Sequence, residues 1–367
     1  MARVEDLLRA ALRGENVSWP EGQDPLPFLK LTQEQGLQPL VYHCLRESGS
    51  LPCWPGPVLE ALRAELHRQV ARELVLEREL ADVLAALNAA GVRPLLLKGT
   101  PLAATHYPEP ALRARMDTDL LIERTELPAL DAALRPLGYE RASAVSGDLV
   151  VHQCMYHGRI NLDVHWKIMN PALLAGLFPA SELHERAVPV PVYGPHARTL
   201  CPAHALLLAC VHRVGHHAHH GQSERWLWLY DIHLLAQRME EPEFEAFARG
   251  AAAKRVRSLC LSGLEAARAR FGTRLIEGPL RRFLDVPEAD SDPSARFLRP
   301  RLTRLDLWLM DLRALRGRER LRLVREHLFP PAEYMLQKYH AGSRLLLPVL
   351  YLRRALSGAW RVVGRGR

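Results

Sequence analysis

The spacing of apolar and polar residues divides the chain into helical ends and a strand-rich middle. In residues 1–90, Val4, Leu7, Leu8, Ala11 and Leu12 recur every three or four positions and predict an amphipathic helix. A Pro- and Gly-containing loop from Trp19 to Pro27 precedes a helix near Leu37 to Leu45. A second loop, Ser50 to Pro57, precedes the longest periodic run. There Val58, Leu62, Leu66, Val70, Leu74, Leu80, Leu84 and Leu87 mark one buried face, and Gly91 closes the helix. This helix is expected to pack across a sheet.

From Val92 the period shortens. Val92–Leu97, Asp119–Ile122, Gly138–Arg141, Leu149–Tyr156 and Ile160–Trp166 read as strands, with helices over Pro101–His106 and Glu126–Leu134. Pro189 to Pro195 reads as a linker. Beyond Thr199 the chain is helical again. Cys201-Pro202-Ala203-His204 opens a helix with Leu206, Leu207, Leu208 and Val211, and Arg225 to Gln237 forms the next. Further helices are expected over 243–252, 254–270, 296–315 and 319–328. The expected fold class is α+β: a small mixed-sheet core at 91–195, flanked by helical regions at 1–90 and 196–367.

The chemistry concentrates in Leu95 to Glu123. An apolar strand stops at Lys98-Gly99, and Gly99, lacking a Cβ, lets backbone approach a ligand. After a short helical stretch comes Arg113-x-x-x-Asp117-x-Asp119, leading into Leu120-Leu121-Ile122. Residues two apart on an extended backbone project to one face, so Asp117 and Asp119 stand together. Paired carboxylates repel, and a divalent cation is the usual remedy. A third carboxylate lies in Ile160 to Trp166, where Ile160, Leu162, Val164 and Trp166 alternate with Asn161, Asp163 and His165. Asp163 is thus expected on the polar face of a half-buried strand, with His165 beside it.

This constellation resembles the nucleotidyltransferase superfamily with the DNA polymerase β-type catalytic fold. Its members carry a glycine turn after the first strand, an Asp-x-Asp on the next and a third carboxylate on a later one. The Lys98-Gly99 start, Tyr107-Pro108, Arg113, the DTDLLI run, LDVHW and RWLWLYDI resemble one bacterial branch of nucleotidyltransferases. The resemblance spans roughly Leu95 to Leu234, with a weaker echo in HLFPPAEYMLQKY. Many members have Gly-Ser or Gly-Gly at the turn where this chain has Lys98-Gly99-Thr100; toxin-type members also begin with Lys-Gly.

The resemblance implies a metal-dependent enzyme that transfers NMP from an NTP to an acceptor (a protein, an RNA end or a small metabolite) and releases pyrophosphate. Asp117, Asp119 and Asp163 would hold Mg²⁺ (or Mn²⁺). Lys98 is a candidate phosphate contact or the partner of Asp117 or Asp119 in a salt bridge. Arg113 is a phosphate fork or an exposed helix arginine. Thr100 offers a hydroxyl at a helix N-terminus or is an N-cap. His165 either supports the metal ligands or is a structural histidine. The alternative function is a non-catalytic nucleotide- or RNA-binding module of the same fold, a sensor or toxin-system partner.

Composition adds little to this picture. Lys and Arg number 49 against 41 Asp and Glu, a net charge of +8 that suits an anionic partner, although Arg-rich codon usage would produce the same excess. The six cysteines show no CxxC spacing and read as reduced core thiols. With no signal-like apolar segment and no run of the ~20 apolar residues a transmembrane helix needs, a cytoplasmic location is expected. His212, His216, His217, His219 and His220 are spaced so that zinc is conceivable, yet no carboxylate or cysteine completes a set. A polar face lining a nucleotide cleft is the preferred reading, with His212 and His216 as its contacts; solvated histidines are the third. The tail from Arg344 to Arg367 is apolar and arginine-rich. It reads as a packed terminal helix in preference to one lying on a membrane. Which NTP is used, which acceptor, and the oligomeric state are not legible.

Overall fold

A computed structural model describes residues 2–142, 144–145, 147–220, 224–276, 278, 283, 292–299 and 302–363, with the side chains of 2, 216–220, 304 and 358–363 outside the description. Helices α1 (Ala2–Leu12), α2 (Pro25–Gln35), α3 (Gln38–Glu47) and α4 (Gly56–Ala89) come first. The middle holds β1 (Leu95–Leu97), α5 (Gly99–Thr105), β2 (Thr118–Leu121), α6 (Leu127–Leu134), β3 (Glu140–Arg141), β4 (Gln153–His157) and β5 (Asn161–His165). After the short α7 (Ala172–Ala175) and α8 (Ala180–Glu185) come β6 (Val188–Pro189) and β7 (Arg198–Thr199). The C-terminal helices are α9 (Pro202–His220), α10 (Trp226–Arg238), α11 (Glu241–Ala253), α12 (Arg257–Phe271), α13 (Arg304–Ala314), α14 (Arg318–Leu328), α15 (Ala332–Lys338) and α16 (Leu347–Val363).

Among the described residues the strands form one mixed sheet in the order β3-β4-β5-β2-β1-β7-β6. β2 runs parallel to β5 and antiparallel to β1, and β1 runs parallel to β7. The architecture is therefore α+β, as expected. The segment expected to be a linker is instead part of the sheet: β6 and β7 pair as a hairpin at its edge, and Tyr193 between them is fully buried. Proline and glycine there shape a turn, and the aromatic side chain anchors it.

The sheet separates two cores. On one face Leu96, Leu120, Leu162 and Val164 pack with Leu80, Val83, Leu84 and Leu87 of α4 and with Leu127, Leu130 and Leu134 of α6. On the other, Leu95, Leu97 and Leu121 join a larger core built by the N-terminal helices and by α9, α10 and α12. α4 serves both cores, with Val58, Leu62 and Leu66 in the larger one and Leu80 to Leu87 in the smaller. Its middle, expected to be buried, is not: Val70 and Leu74 are exposed where the helix crosses between cores. Gly91 has φ 79°, the left-handed turn expected after the helix.

β5 also differs from expectation. It was expected to be half-buried, but Leu162 to His165 are all buried: β2 and β4 flank the strand, and Leu162 and Val164 lie in the smaller core. Four cysteines are buried, Cys201 is half-buried and Cys53 is exposed, contrary to a core role for Cys53.

Candidate active site

Strand register assembles the acidic cluster. Leu97 pairs with Asp119, Asp119 with Asp163, and Leu121 with His165. Side chains of in-register residues on neighbouring strands share a face, so Asp119, Asp163 and His165 meet on the larger-core side. His165 Nε2 lies 2.9 Å from Asp119 Oδ1 and 3.2 Å from Asp163 Oδ2. One ligand atom from each of the three can be chosen so that all lie within 4.8 Å of one another, close enough for one metal ion. Asp117 stands just ahead of β2 and lines the same cleft.

Lys98 occupies the turn between β1 and α5 with φ 55° and ψ −125°, a conformation costly for any side-chain-bearing residue. Its Nζ donates to Asp119 Oδ1 at 2.6 Å. Of its two expected roles, the structure displays the salt bridge. Burial alone would raise the Asp119 carboxyl, but Lys98 and His165 outweigh it and hold the group well below the usual carboxylate range. The Asp117 carboxyl, by contrast, is pushed up by burial and by the charges of Asp119 and Asp163. His165 is raised despite its burial and Lys98, because Asp163 and Asp119 favour its charged form. Asp163 accepts from Gln153 Nε2 at 3.0 Å, while its buried Oδ1 has no hydrogen-bond partner among the described residues.

Arg113 differs from both of its expected roles. It is buried, and its Nε and Nη2 donate to Asp231 Oδ1 and Oδ2 at 3.1 and 2.6 Å. Tyr107 Oη donates to the same Asp231 Oδ1 at 2.8 Å. The fork is consumed by a buried carboxylate, so its main work is to lock α10 to the chain ahead of β2. Gly99 accommodates this knot: a Cβ there would come within 2.9 Å of Arg113 Nη1. Thr100 is buried and donates to Thr118 Oγ1 at 3.3 Å, behind the cleft wall and not in it.

The cleft is about 710 Å³. Its floor is Lys98, Gly99, Asp117, Asp119 and Asp163; α4 contributes Glu65, Gln69 and Arg72, and α9 and α10 contribute His212 and Trp228. The His212 ring meets Trp228 edge-on at 4.9 Å. His216 lies in α9, but its side chain, like those of His217, His219 and His220, is outside the described residues.

Sequence reasoning missed Arg72, Arg225 and Trp228. The Arg225 guanidinium stands 5.6 Å from the centre of the Trp228 ring, and its Nε is buried without a hydrogen-bond partner among the described residues. Burial, reinforced by Arg113, lowers its pKa. Tyr107, Arg113 and Asp231 were visible only as three separate motif fragments. The signal that could have joined them is that charged residues inside apolar runs need partners.

No curated protein matches the chain. A family model described as an uncharacterised nucleotidyltransferase matches residues 21–272, from α2 through α12 and across every cleft element named above. The chain belongs to this nucleotidyltransferase family.

Proposed function

We propose that the chain transfers NMP from an NTP to an acceptor hydroxyl or phosphate and releases pyrophosphate, with the polymerase β-type arrangement of carboxylates implied by its motifs. The observation that carries this reading is Asp163. It is in register with Asp119 on a parallel neighbour, at the floor of a cleft, with a buried carboxylate oxygen that has no hydrogen-bond partner among the described residues. An anionic oxygen left so is costly unless it has a cationic partner.

Asp117, Asp119 and Asp163 would hold Mg²⁺ or Mn²⁺. When bound, the cation neutralises triphosphate charge and eases deprotonation of the attacking hydroxyl. Asp163 takes up the acceptor proton or fixes the acceptor oxygen, and His165 orients both carboxylates from behind. Lys98 leaves Asp119 to meet the triphosphate as a compact charge. The roles foreseen for Arg113 pass to Arg225 and Arg72, which line the cleft without a carboxylate within ion-pair distance among the described residues. Trp228 and His212, an aromatic pair on the cleft wall, would contact the base. The acceptor, whether protein, RNA or small metabolite, enters along the polar α4 wall of Glu65 and Gln69.

The test is incubation with each of four α-labelled NTPs and Mg²⁺ or Mn²⁺, alone and with cell extract. Labelled product from wild type, absent with Asp163→Asn, is expected. Product of equal yield from both proteins contradicts the assignment. A second reading, a binding module, draws on the Lys98–Asp119 pair, which neutralises one carboxylate without a metal. Nucleotide binding by wild type with no transfer to any acceptor selects that reading.

A further inference from the structure

The end of the chain carries a second feature with a chemistry of its own. α16 packs one side against α14 and α15, with Leu350 buried and Tyr351 Oη donating to the Pro330 carbonyl at 2.7 Å. Its other side has no cover among the described residues. Val349, Leu352 and Leu356 are 63%, 61% and 63% exposed, and Leu345 in the turn before the helix is 90% exposed. Their spacing of four, three and four residues makes one stripe along the helix. Four large aliphatic side chains aligned in water are unfavourable and favour an apolar cover.

Charge indicates what covers the stripe. From Tyr334 to Arg367 the sequence contains six arginines and no Asp or Glu. Arg353 stacks over Tyr339 at 5.2 Å and Arg354 donates to the His327 carbonyl at 3.0 Å, both neutral partners, and neither forms an ion pair among the described residues. An apolar stripe in a segment with only positive charge matches the interface of an anionic bilayer, where leucines enter the acyl boundary and arginines meet headgroup phosphates. No described helix is long and apolar enough to cross a membrane, so the contact would be parallel to the surface.

We propose that α16 docks the protein onto anionic phospholipid surfaces, through the Leu345, Val349, Leu352 and Leu356 stripe and Arg344, Arg353 and Arg354 of the same segment. The docking is independent of the transfer chemistry and stands whether or not that reading holds.

The full chain would be co-sedimented with vesicles of phosphatidylcholine containing one quarter phosphatidylglycerol, and with phosphatidylcholine alone. Binding to the mixed vesicles is expected, at least ~10-fold stronger than to neutral ones and weakened by salt. The Leu352→Glu/Leu356→Glu variant alters only exposed side chains and should keep the wild-type melting temperature while losing at least ~10-fold in vesicle binding. Absence of binding to mixed vesicles, equal binding to both vesicle types or undiminished binding by the folded double variant would overturn the proposal. So would a concentration-dependent dimer that the double variant abolishes, since the stripe would then belong to a second copy.

Discussion

Two buried ion pairs border the same cleft, Lys98–Asp119 and Arg113–Asp231, and their difference separates function from scaffold. In the second, a planar guanidinium meets a carboxylate fork to fork, and Tyr107 fills a further lone pair. That geometry is complete and joins segments more than a hundred residues apart. In the first, a point-like ammonium on a strained turn touches a single oxygen, beside a carboxylate with an orphaned oxygen and another whose pKa is raised. A buried cluster this incompletely neutralised is poised to take up positive charge; the Arg113 knot is not. Both arginine and lysine looked like phosphate ligands in the sequence, and only their partners tell them apart.

The sharpest way to break the comparison is to remove Asp231. Asp231→Ala leaves Arg113 charged and buried, so unfolding in urea should show a loss of about 3–5 kcal/mol. A loss below about 1 kcal/mol would mean that the knot is not structural. The matching change on the other pair, Lys98→Met, should instead appear in binding. Calorimetry should find ATP weakened by roughly 1.5–3 kcal/mol, the scale of a charge-assisted contact, and adenosine unchanged. Equal weakening of both ligands would make Lys98 a structural lysine.

Acid should also act on the knot's side of the molecule. His106 and His233 are held down to about 4, chiefly by burial. Their folded pKa values lie below the unfolded one. Their contribution to stability is therefore present above about pH 6.5 and lost as pH falls towards 4, by up to roughly 1.4 kcal/mol per pH unit per histidine. Melting temperatures recorded across this window should fall, and His233→Gln should flatten the fall. The smallest effect belongs to Asp117. Because burial and like charges raise its pKa, Asp117→Asn should leave stability unchanged or raise it by less than about 1 kcal/mol in metal-free buffer, although transfer is lost. A clear drop in melting temperature would show that the repulsion is already compensated.

What the sequence revealed follows the range of the interaction. The polar alternation of Asn161, Asp163 and His165 is a local period of two, and it correctly put Asp163 and His165 on one face. That this face is buried depends on helices supplied from both ends of the chain, which no local period encodes. The same limit explains α4. Its stripe was continuous in sequence, but Val70 and Leu74 fall between the two cores, and only the tertiary arrangement shows the gap. Arg113 and Asp231 illustrate the longest range: each was a fragment of a motif, and neither fragment names the other. Arg225 and Trp228 were legible as an apolar helix start and became cleft residues only because α10 is docked by that ion pair.

The most direct test of the central claim is a Mn²⁺ titration followed by electron paramagnetic resonance, with a non-hydrolysable ATP analogue present. It would compare wild type with Asp163→Asn and Asp119→Asn, after each variant has been shown to melt cooperatively. The acidic cluster predicts a saturable Mn²⁺ site in wild type that is weakened at least ~10-fold in both variants. Saturable binding of the same affinity in all three proteins, or none in wild type, would contradict the account.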